Sequence, residues 1–421
     1  MTYSEKMLDQ LSSGQLDDAK KSFASALRHD DDDMLYSLAE ELYGLGFVRQ
    51  AQRTYLKLLE RYPDEDQLRT ALADIAIDEG NNDEALSYLD QIKPESNAYV
   101  QSLLVAADLY QTQELFEVSE QKLIEAYNQA PEEPVVLFAL AEFYYMMGQY
   151  ETAIPYYFSL IEQGETNFAQ VDLAGRLGIS YAQSGKFETA IGYLKQVKPE
   201  FQSSDIRFQT GFTQLQLKQY EAAIEVFKDL QEQDPQYATV YPDLAQAYEK
   251  LERYSEALTA LQEGLGVDQY NEQLYQQAAA VASHLDDEEL MERYLSKAHG
   301  LDPENIAITI EYSNLLLKRR KYAQNIELLL PAVKSDQTDP QIYWNLAVSY
   351  QDQDQYDQAQ KYYDAALPYF NDQPEFVKQT VYFYREMGQR ETMLEQLKKY
   401  VQLVPDDSEM ALLLEETEDE F

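Results

Sequence analysis

The feature of this chain that most restricts its fold is a motif that returns about every 34 residues. The phrase GQYETAI at 148–154 has counterparts in GKFETAI at 185–191, KQYEAAI at 218–224 and ERYSEAL at 252–258. Aligning the small residue near the end of each phrase gives steps of 34, 34, 34, 37, 33, 34, 34, 34, 34 and 34 residues. The aligned positions are Ala51, Ala85, Ser119, Ala153, Ala190, Ala223, Ala257, Met291, Asn325, Ala359 and Met393. A period of this length predicts stacked structural repeats.

Each repeat is predicted to contain two helices. In the unit around Ala153, a first segment holds Ala141 with Tyr144 three residues later, and a second holds Ala153 with Tyr157 four residues later. Offsets of three and four residues place side chains on one face of a helix. A small residue on each helix lets the two backbones approach, and the large residues fill the space between neighbouring pairs. A polar turn, often with glycine such as Gly148, separates the two segments.

This pattern resembles the tetratricopeptide repeat family. The shared elements are a small residue with tyrosine three later, then Gly-x-Tyr-x-x-Ala, then a bulky residue, and often a closing proline such as Pro235. An irregular first unit around Ala19 completes about twelve units over nearly the whole chain. The resemblance implies an all-α fold, a right-handed α-solenoid superhelix of about twelve helix-turn-helix units. The composition resembles that of tetratricopeptide proteins of Gram-positive bacteria.

The charge of the chain argues against two classes of partner. It has 33 Lys and Arg against 76 Asp and Glu, a formal net charge of −43. Such a surface repels phosphate backbones and anionic lipid, so we expect no nucleic-acid binding and no membrane insertion. The same surface attracts basic segments of other proteins. The chain has no cysteine, and its first residues lack the apolar run of a signal peptide, so we expect a cytoplasmic protein.

No recognisable catalytic, cofactor or metal motif is present in the sequence. A zinc-protease HExxH motif, a glycine-rich phosphate loop and a Gly-x-Ser-x-Gly elbow are all missing. We therefore predict a protein that is not an enzyme, with no catalytic residues, cofactor or metal. The basic cluster LKRRKY at 317–322 is too small for a nucleic-acid footprint, but it can dock an acidic partner or the chain's own tail.

One irregular spacing suggests a domain boundary. The step from Ala153 to Ala190 is 37 residues, and the additional residues fall in the loop EQGETNFAQ at 162–170. A longer connection can change the angle between two sub-arrays, so we expect a bend or hinge near residue 165; the alternative is a loop that absorbs the insertion without a bend. We predict an N-terminal array at 1–163, a C-terminal array at 164–407, and a capping helix with an acidic tail, disordered at its end, at 408–421.

Family resemblance places the ligand-binding surface on the first helix of each pair, which lines a concave groove. One position after the small residue of that helix, four consecutive units carry an acid, and we call this set the acidic ladder. Its members are Glu40, Asp74, Asp108 and Glu142. A groove of a single sign focuses the electric field and attracts a basic segment. The alternative is a solvated acidic face without a ligand.

Further along the first helices, the inner positions become apolar. The predicted apolar groove residues are Phe138, Tyr145, Met146, Phe208, Phe212, Leu215 and Trp344. Exposed aromatic side chains are common anchors of protein interfaces. The alternative is that they pack against the preceding second helix. The sequence thus predicts a scaffold that binds a basic or amphipathic segment of another protein in its groove; self-association as a homodimer is the alternative.

Overall fold

The computed structural model describes residues 1–334 and 338–419, and these residues form 25 α-helices and one short β-hairpin. The helices are α1 Tyr3–Ser12, α2 Leu16–His29, α3 Asp32–Gly44, α4 Val48–Arg61, α5 Asp66–Asp78, α6 Asn82–Leu89, α7 Tyr99–Thr112, α8 Phe116–Gln129, α9 Pro134–Met146, α10 Tyr150–Glu162, α11 Leu173–Gln183, α12 Phe187–Leu194, α13 Ser204–Gln216, α14 Tyr220–Gln233, α15 Val240–Lys250, α16 Tyr254–Val267, α17 Glu272–His284, α18 Glu288–Leu301, α19 Ile306–Lys318, α20 Tyr322–Leu329, α21 Pro340–Gln351, α22 Tyr356–Phe370, α23 Pro374–Glu386, α24 Arg390–Leu403 and α25 Ser408–Asp419. Two short 3₁₀ segments lie at Pro199–Phe201 and Ala332–Lys334.

The helices follow the predicted pairing. The described part of the chain contains twelve consecutive pairs, from α1 with α2 to α23 with α24, followed by α25. This confirms the all-α class and the number of units. The small residues of the motif are buried as the spacing requires, since Ala39 on α3 and Ala51 on α4 are fully inaccessible to solvent. Large motif residues such as Tyr55 complete the core beside them.

The turn inside a pair has a defined backbone. At the end of α3, Gly46 adopts a left-handed conformation with φ of 80°, which glycine tolerates without steric cost. This conformation lets the Phe47 N–H donate to the Leu42 carbonyl at 2.8 Å. The bond satisfies one of the carbonyls that a helix end leaves unpaired and reverses the chain for the next helix.

The chain divides into two compact units, Met1–Ile206 and Arg207–Phe421. We call them unit 1 and unit 2. Within each unit, helices pack mainly against their neighbours in the chain. The core of unit 1 includes the fully buried Tyr157, and that of unit 2 includes the fully buried Phe227 and Tyr363. The predicted boundary at 163–164 stays a prediction.

The insertion at 162–170 leads into a β-hairpin rather than an irregular loop. Strand β1, Asn167–Phe168, pairs antiparallel with strand β2, Val171–Asp172. The two connecting residues, Ala169 and Gln170, both have positive φ, of 45° and 64°, as a tight two-residue hairpin turn requires. The predicted hinge in this segment stays a prediction.

Helix α25 packs on α24 at the end of the described chain. Met410 is fully buried there, and Lys398 on α24 pairs with Glu418 at 2.7 Å. The helix reaches Asp419, which is further than the short cap we expected, and the last two positions of the predicted tail lie outside the described residues. Within the described helices, none combines the length and the apolar character needed to cross a membrane.

Candidate functional site

The first helices of unit 1 line a cavity of about 530 Å³ that contains two members of the acidic ladder. We call it the tyrosine cavity, because Tyr36, Tyr43 and Tyr55 form much of its wall. The remaining lining residues are Glu40, Gly44, Gln67, Thr70, Ala71, Asp74, Asn97, Ala98, Gln101 and Val105. The first helices α3, α5 and α7 supply most of them, so the cavity lies on the surface that the family resemblance marked for ligands.

Spacing along α3 explains why these side chains meet. Tyr36, Glu40 and Tyr43 are four and three residues apart, and residues at such offsets share one face of a helix. Tyr55 reaches the same wall from α4, and its ring meets that of Tyr36 edge to face, with centroids 5.9 Å apart. Asp74 faces the same space from α5. Sequence reasoning found the two acids but missed the tyrosines, which the spacing on α3 could have revealed.

The carboxylates of this inner face lack cationic partners. Within the described residues, Glu40, Asp74, Asp78 and Asp108 take part in no ion pair. Burial raises the pKa of Asp74 above its ordinary value, the nearby Tyr43 hydroxyl lowers it, and the charges of Asp78 and Asp108 raise it further. Burial and the charge of Asp78 also raise the pKa of Asp108. No positive charge of the described residues contributes to the pKa of Asp74 or of Asp108.

Tyr43 links two of these helices. Its hydroxyl donates to the Asp78 carboxylate at 2.6 Å, between residues 35 positions apart in the chain. Burial, followed by the hydrogen bond to Asp78, raises the pKa of Tyr43. The phenol therefore stays protonated at neutral pH and holds one edge of the cavity in place.

The fourth acid of the predicted ladder, Glu142, has a cationic partner within the chain. Glu142 accepts two hydrogen bonds from Arg176, both of 2.8 Å, and a third from the Tyr157 hydroxyl. The guanidinium also lies over the ring of Tyr145, 4.3 Å from its centroid. Glu142 is therefore neutralised within the chain, and Tyr145 is covered on one face. Sequence reasoning missed Arg176, which follows Glu142 by 34 residues and lies on the first helix of the next unit, α11.

The hairpin covers another predicted groove residue in unit 1. Phe168 on β1 lies against Phe138, with ring centroids 4.8 Å apart. Phe138 is only partly exposed as a result. Met146, at 55% exposure, is the predicted apolar residue of unit 1 that remains open to solvent.

The predicted apolar residues of unit 2 are mostly packed within the unit. Leu215 is only 5% exposed and belongs to the core, so it offers no surface to a partner. Phe208 is half-buried and contacts Phe212 and Tyr237, at ring distances of 6.2 and 5.6 Å. The structure therefore supports the packing alternative for Leu215 and leaves partial exposure at Phe208 and Phe212.

Trp344 is also engaged inside unit 2. Its indole N–H donates to the Gln379 side chain at 2.5 Å, and its ring contacts Phe370 and Phe376 at 5.1 and 5.2 Å. The ring therefore fills the space between α21, α22 and α23, and only part of it reaches solvent. No group of His, Asp and Glu side chains among the described residues has the arrangement of a metal site.

Comparison with protein families matches several parts of the chain to repeat families. Residues 111–165 match "YpiA-like, tetratricopeptide repeats", and residues 340–407 match "YpiA-like, C-terminal tetratricopeptide repeats". Residues 5–115 match "Tetratricopeptide repeat protein 21 ARM repeat", and residues 214–282 match a general tetratricopeptide repeat model.

Two relatives and two solved structures illustrate the similarity. The chain is 33% identical to the TPR repeat-containing protein YpiA of Bacillus subtilis over 393 residues, 93% of this chain and 92% of YpiA. It is 20% identical to the tetratricopeptide repeat protein 21 homolog of Caenorhabditis elegans, covering 72% of this chain and 22% of that protein. The crystal structure of YrrB, "a TPR protein with an unusual peptide-binding site", aligns with a TM-score of 0.40 at 19% identity, over 46% of this chain and 99% of YrrB. The Cut9-Hcn1 structure aligns with a TM-score of 0.36 at 14% identity, over 98% and 95% of the two chains.

Proposed function

Because this chain belongs to the tetratricopeptide repeat family that includes YpiA, we propose that it is a non-enzymatic scaffold that binds a basic segment of a partner protein. Tetratricopeptide proteins generally mediate protein–protein interaction. The proposed binding surface is the inner face of unit 1, and its centre is the tyrosine cavity. The partner is proposed to place a Lys or Arg side chain in this cavity.

The observation that carries the proposal is a set of carboxylates that no cation of the described chain neutralises. Glu40 and Asp74 line the cavity, and Asp108 lies on the next first helix, α7. Burial and, to a smaller extent, the charge of Asp78 raise the pKa of Asp74 and Asp108, and a Lys or Arg from a partner would offset both effects. The half-buried ring of Tyr36 offers a face on which a cation is stabilised further.

The proposed binding surface includes fewer acidic residues than the ladder predicted from the sequence. Glu142 is not included, because Arg176 already occupies its carboxylate. The cavity walls are partly rigid before a ligand arrives, since Tyr43 is tied to Asp78 and Tyr36 packs on Tyr55. A preformed wall lowers the entropy cost of binding.

A quantitative pull-down from native cytosol tests the proposal. The test variant is Glu40→Gln/Asp74→Asn/Asp108→Asn. The matched control, Glu60→Gln/Asp64→Asn/Glu79→Gln, removes the same charge from exposed acids of unit 1 outside the cavity. We expect partners to be lost from the test variant and retained by the control, with binding that weakens as salt is raised. If the unchanged chain, the test variant and the control captured an identical set of partners, the inner face would be refuted as the binding site.

Self-association is the second candidate, and the observation that favours it is the exposed pair Met146 and Met147 at the end of α9, 55% and 36% exposed. Flexible methionine side chains suit adaptable apolar contacts. Sedimentation over a hundredfold concentration range, with Met146→Gln/Met147→Gln beside the unchanged chain, tests this. A constant monomer mass at every concentration would rule it out.

A further inference from the structure

Unit 2 contains a second cavity whose charge is opposite to that of the surrounding protein. It has a volume of about 610 Å³ and lies among α16, α17, α18 and the turn that joins α19 to α20. Its charged lining residues are Arg293, Lys297, Arg319, Lys321, Glu289 and Glu292, which give a local balance of +2. The whole chain has a net charge of −43, so the positive balance of this cavity is opposite in sign to the charge of the chain. We call this the basic cavity.

Two of its cations are held in place by one carboxylate. Arg319 forms an ion pair with Glu292, and Lys321 donates to the two oxygens of the same group at 2.6 and 2.8 Å. Arg319 also donates to the backbone carbonyl of Glu288 at 3.2 Å. One negative charge thus fixes two positive charges and leaves one uncompensated. Both residues come from the basic cluster at 317–322, for which the proposed function has no role.

The other two cations are free to bind a ligand. Arg293 and Lys297 are exposed on α18 and form no ion pair in the part of the chain that the structure describes. They are four residues apart, so they lie on the same helical face. The basic cavity therefore combines two fixed cations with two available ones. Arginine and lysine in this arrangement are suited to groups with several anionic oxygens.

Aromatic rings form another part of the lining. Tyr275, Tyr294 and Tyr312 all contribute, and the rings of Tyr275 and Tyr294 have centroids 6.2 Å apart. The Tyr294 hydroxyl accepts a hydrogen bond from Gln262 at 3.0 Å, which fixes that ring. Tyr294 is buried, so the half-buried rings of Tyr275 and Tyr312 are the ones that can stack with a flat group. The volume is within the range of about 300–1,000 Å³ that is typical of small-molecule sites.

We propose that the basic cavity binds a small molecule that carries two linked phosphate groups beside a flat ring, the chemical class of a nucleoside diphosphate. The phosphate groups of the ligand contact Arg293 and Lys297 together with Arg319 and Lys321, which Glu292 holds in place. The flat ring of the ligand lies on the half-buried tyrosines of the lining. A nucleic acid is excluded by the acidic surface around the cavity, whereas a small ligand fits inside it. The inference does not depend on the binding of a basic segment in unit 1.

Isothermal titration calorimetry of the full chain with ADP, inorganic pyrophosphate and adenosine tests this ligand class. Salt at about 0.1 M, where the screening length is about 10 Å, reduces repulsion by distant acids while leaving direct contacts effective. We expect one ADP per chain, weaker binding of pyrophosphate and no detectable binding of adenosine. Equal affinities for ADP and pyrophosphate would refute the ring contact, and equal affinities for ADP and adenosine would refute the phosphate contact. No binding of any of the three would refute the site.

Two matched variants locate the binding. Arg293→Gln/Lys297→Gln should weaken ADP binding by about tenfold or more, as expected when charge-assisted hydrogen bonds worth at least about 1.4 kcal/mol are lost. The control, Lys228→Gln/Lys250→Gln, removes the same charge from exposed positions of unit 2 outside the cavity. Equal loss in both double variants would overturn the assignment to this cavity. Because all four side chains are exposed, circular dichroism should show an unchanged helical content.

Discussion

Replacing Gly211 by alanine should destabilise unit 2, although the same change normally stabilises a helix. Gly211 lies inside α13, and a Cβ atom there would meet the ring of Phe227 at 2.5, 2.6 and 3.0 Å. Ordinary van der Waals contacts to a Cβ begin near 3.4 Å. Phe227 is fully buried on α14, so its ring has no open space into which it can move.

The expected magnitude follows from two opposing effects. Forcing an additional carbon into a packed core costs about 1–3 kcal/mol, and this contact is at the severe end because the neighbour is fully buried. Replacing glycine by alanine in a helix interior stabilises the folded state by about 1 kcal/mol through helix propensity. The net loss for Gly211→Ala is therefore about 1–2 kcal/mol in the free energy of unfolding. With a urea m-value near 2 kcal/mol/M, the unfolding midpoint should fall by about 0.5–1 M.

A matched glycine provides the control. Gly192 lies inside α12, and no atom lies within 4 Å of a Cβ built there. Gly192→Ala should therefore gain up to about 1 kcal/mol, the helix propensity term alone. Both substitutions replace glycine by alanine inside a helix. Changes of opposite sign in the free energy of unfolding would therefore show the effect of the steric contact at Gly211.

Urea unfolding is best followed by two signals. Circular dichroism at 222 nm reports on all helices, and Trp344, the single tryptophan of the chain, reports on unit 2. Phe227→Leu in the Gly211→Ala background removes ring atoms from the contact and should recover about 1 kcal/mol relative to the sum of the single changes. If Gly211→Ala were as stable as Gly192→Ala, the close approach of α13 to Phe227 would be refuted.

Three further predictions concern other contacts. Arg176→Met should destabilise unit 1 by about 1–3 kcal/mol in urea unfolding, because it leaves the half-buried Glu142 without its cation. Adding Glu142→Gln to the same chain should recover part of this loss. A loss below about 0.5 kcal/mol for Arg176→Met would contradict the reasoning. Burial raises the pKa of Asp243 to about 6, so the folded state favours the neutral acid, and stability from this group is lost as the pH rises through 6. Asp243→Asn should therefore raise the thermal midpoint at about pH 8 and less so at about pH 5, and a pH-independent difference would argue against this. Met410→Ala should cost about 2–3 kcal/mol and expose the end of α24 to faster hydrogen exchange, while exchange in α3 and α4 stays unchanged.

Much of the fold could be predicted because the repeat period encodes it directly. The positions of Ala51 and Ala153 predicted buried helix contacts, and both residues are fully buried. The hairpin at 167–172 could not be predicted, because the inserted residues follow no period. Its Phe168 then covers Phe138, a contact outside the repeat pattern.

The candidate site was predicted only in part, because a helical period identifies a face but not what covers that face. The inner position of Leu215 suggested exposure, yet neighbouring helices bury it. The contacts that decide the state of Glu142, Tyr43 and Trp344 join residues 34 or 35 positions apart, from one repeat to the next. The insertion makes the step between these two units 37 residues, so the repeat period alone does not align Arg176 with Glu142.

The packing of helices mainly against their sequence neighbours has a consequence for synthesis. Most contacts within each unit form between segments that leave the ribosome one after the other. A chain with such local contacts has a low contact order and is expected to fold quickly. Tyr55 and its neighbours can therefore be enclosed while the C-terminal repeats are still being translated, which limits the time that their aromatic surface is open to aggregation.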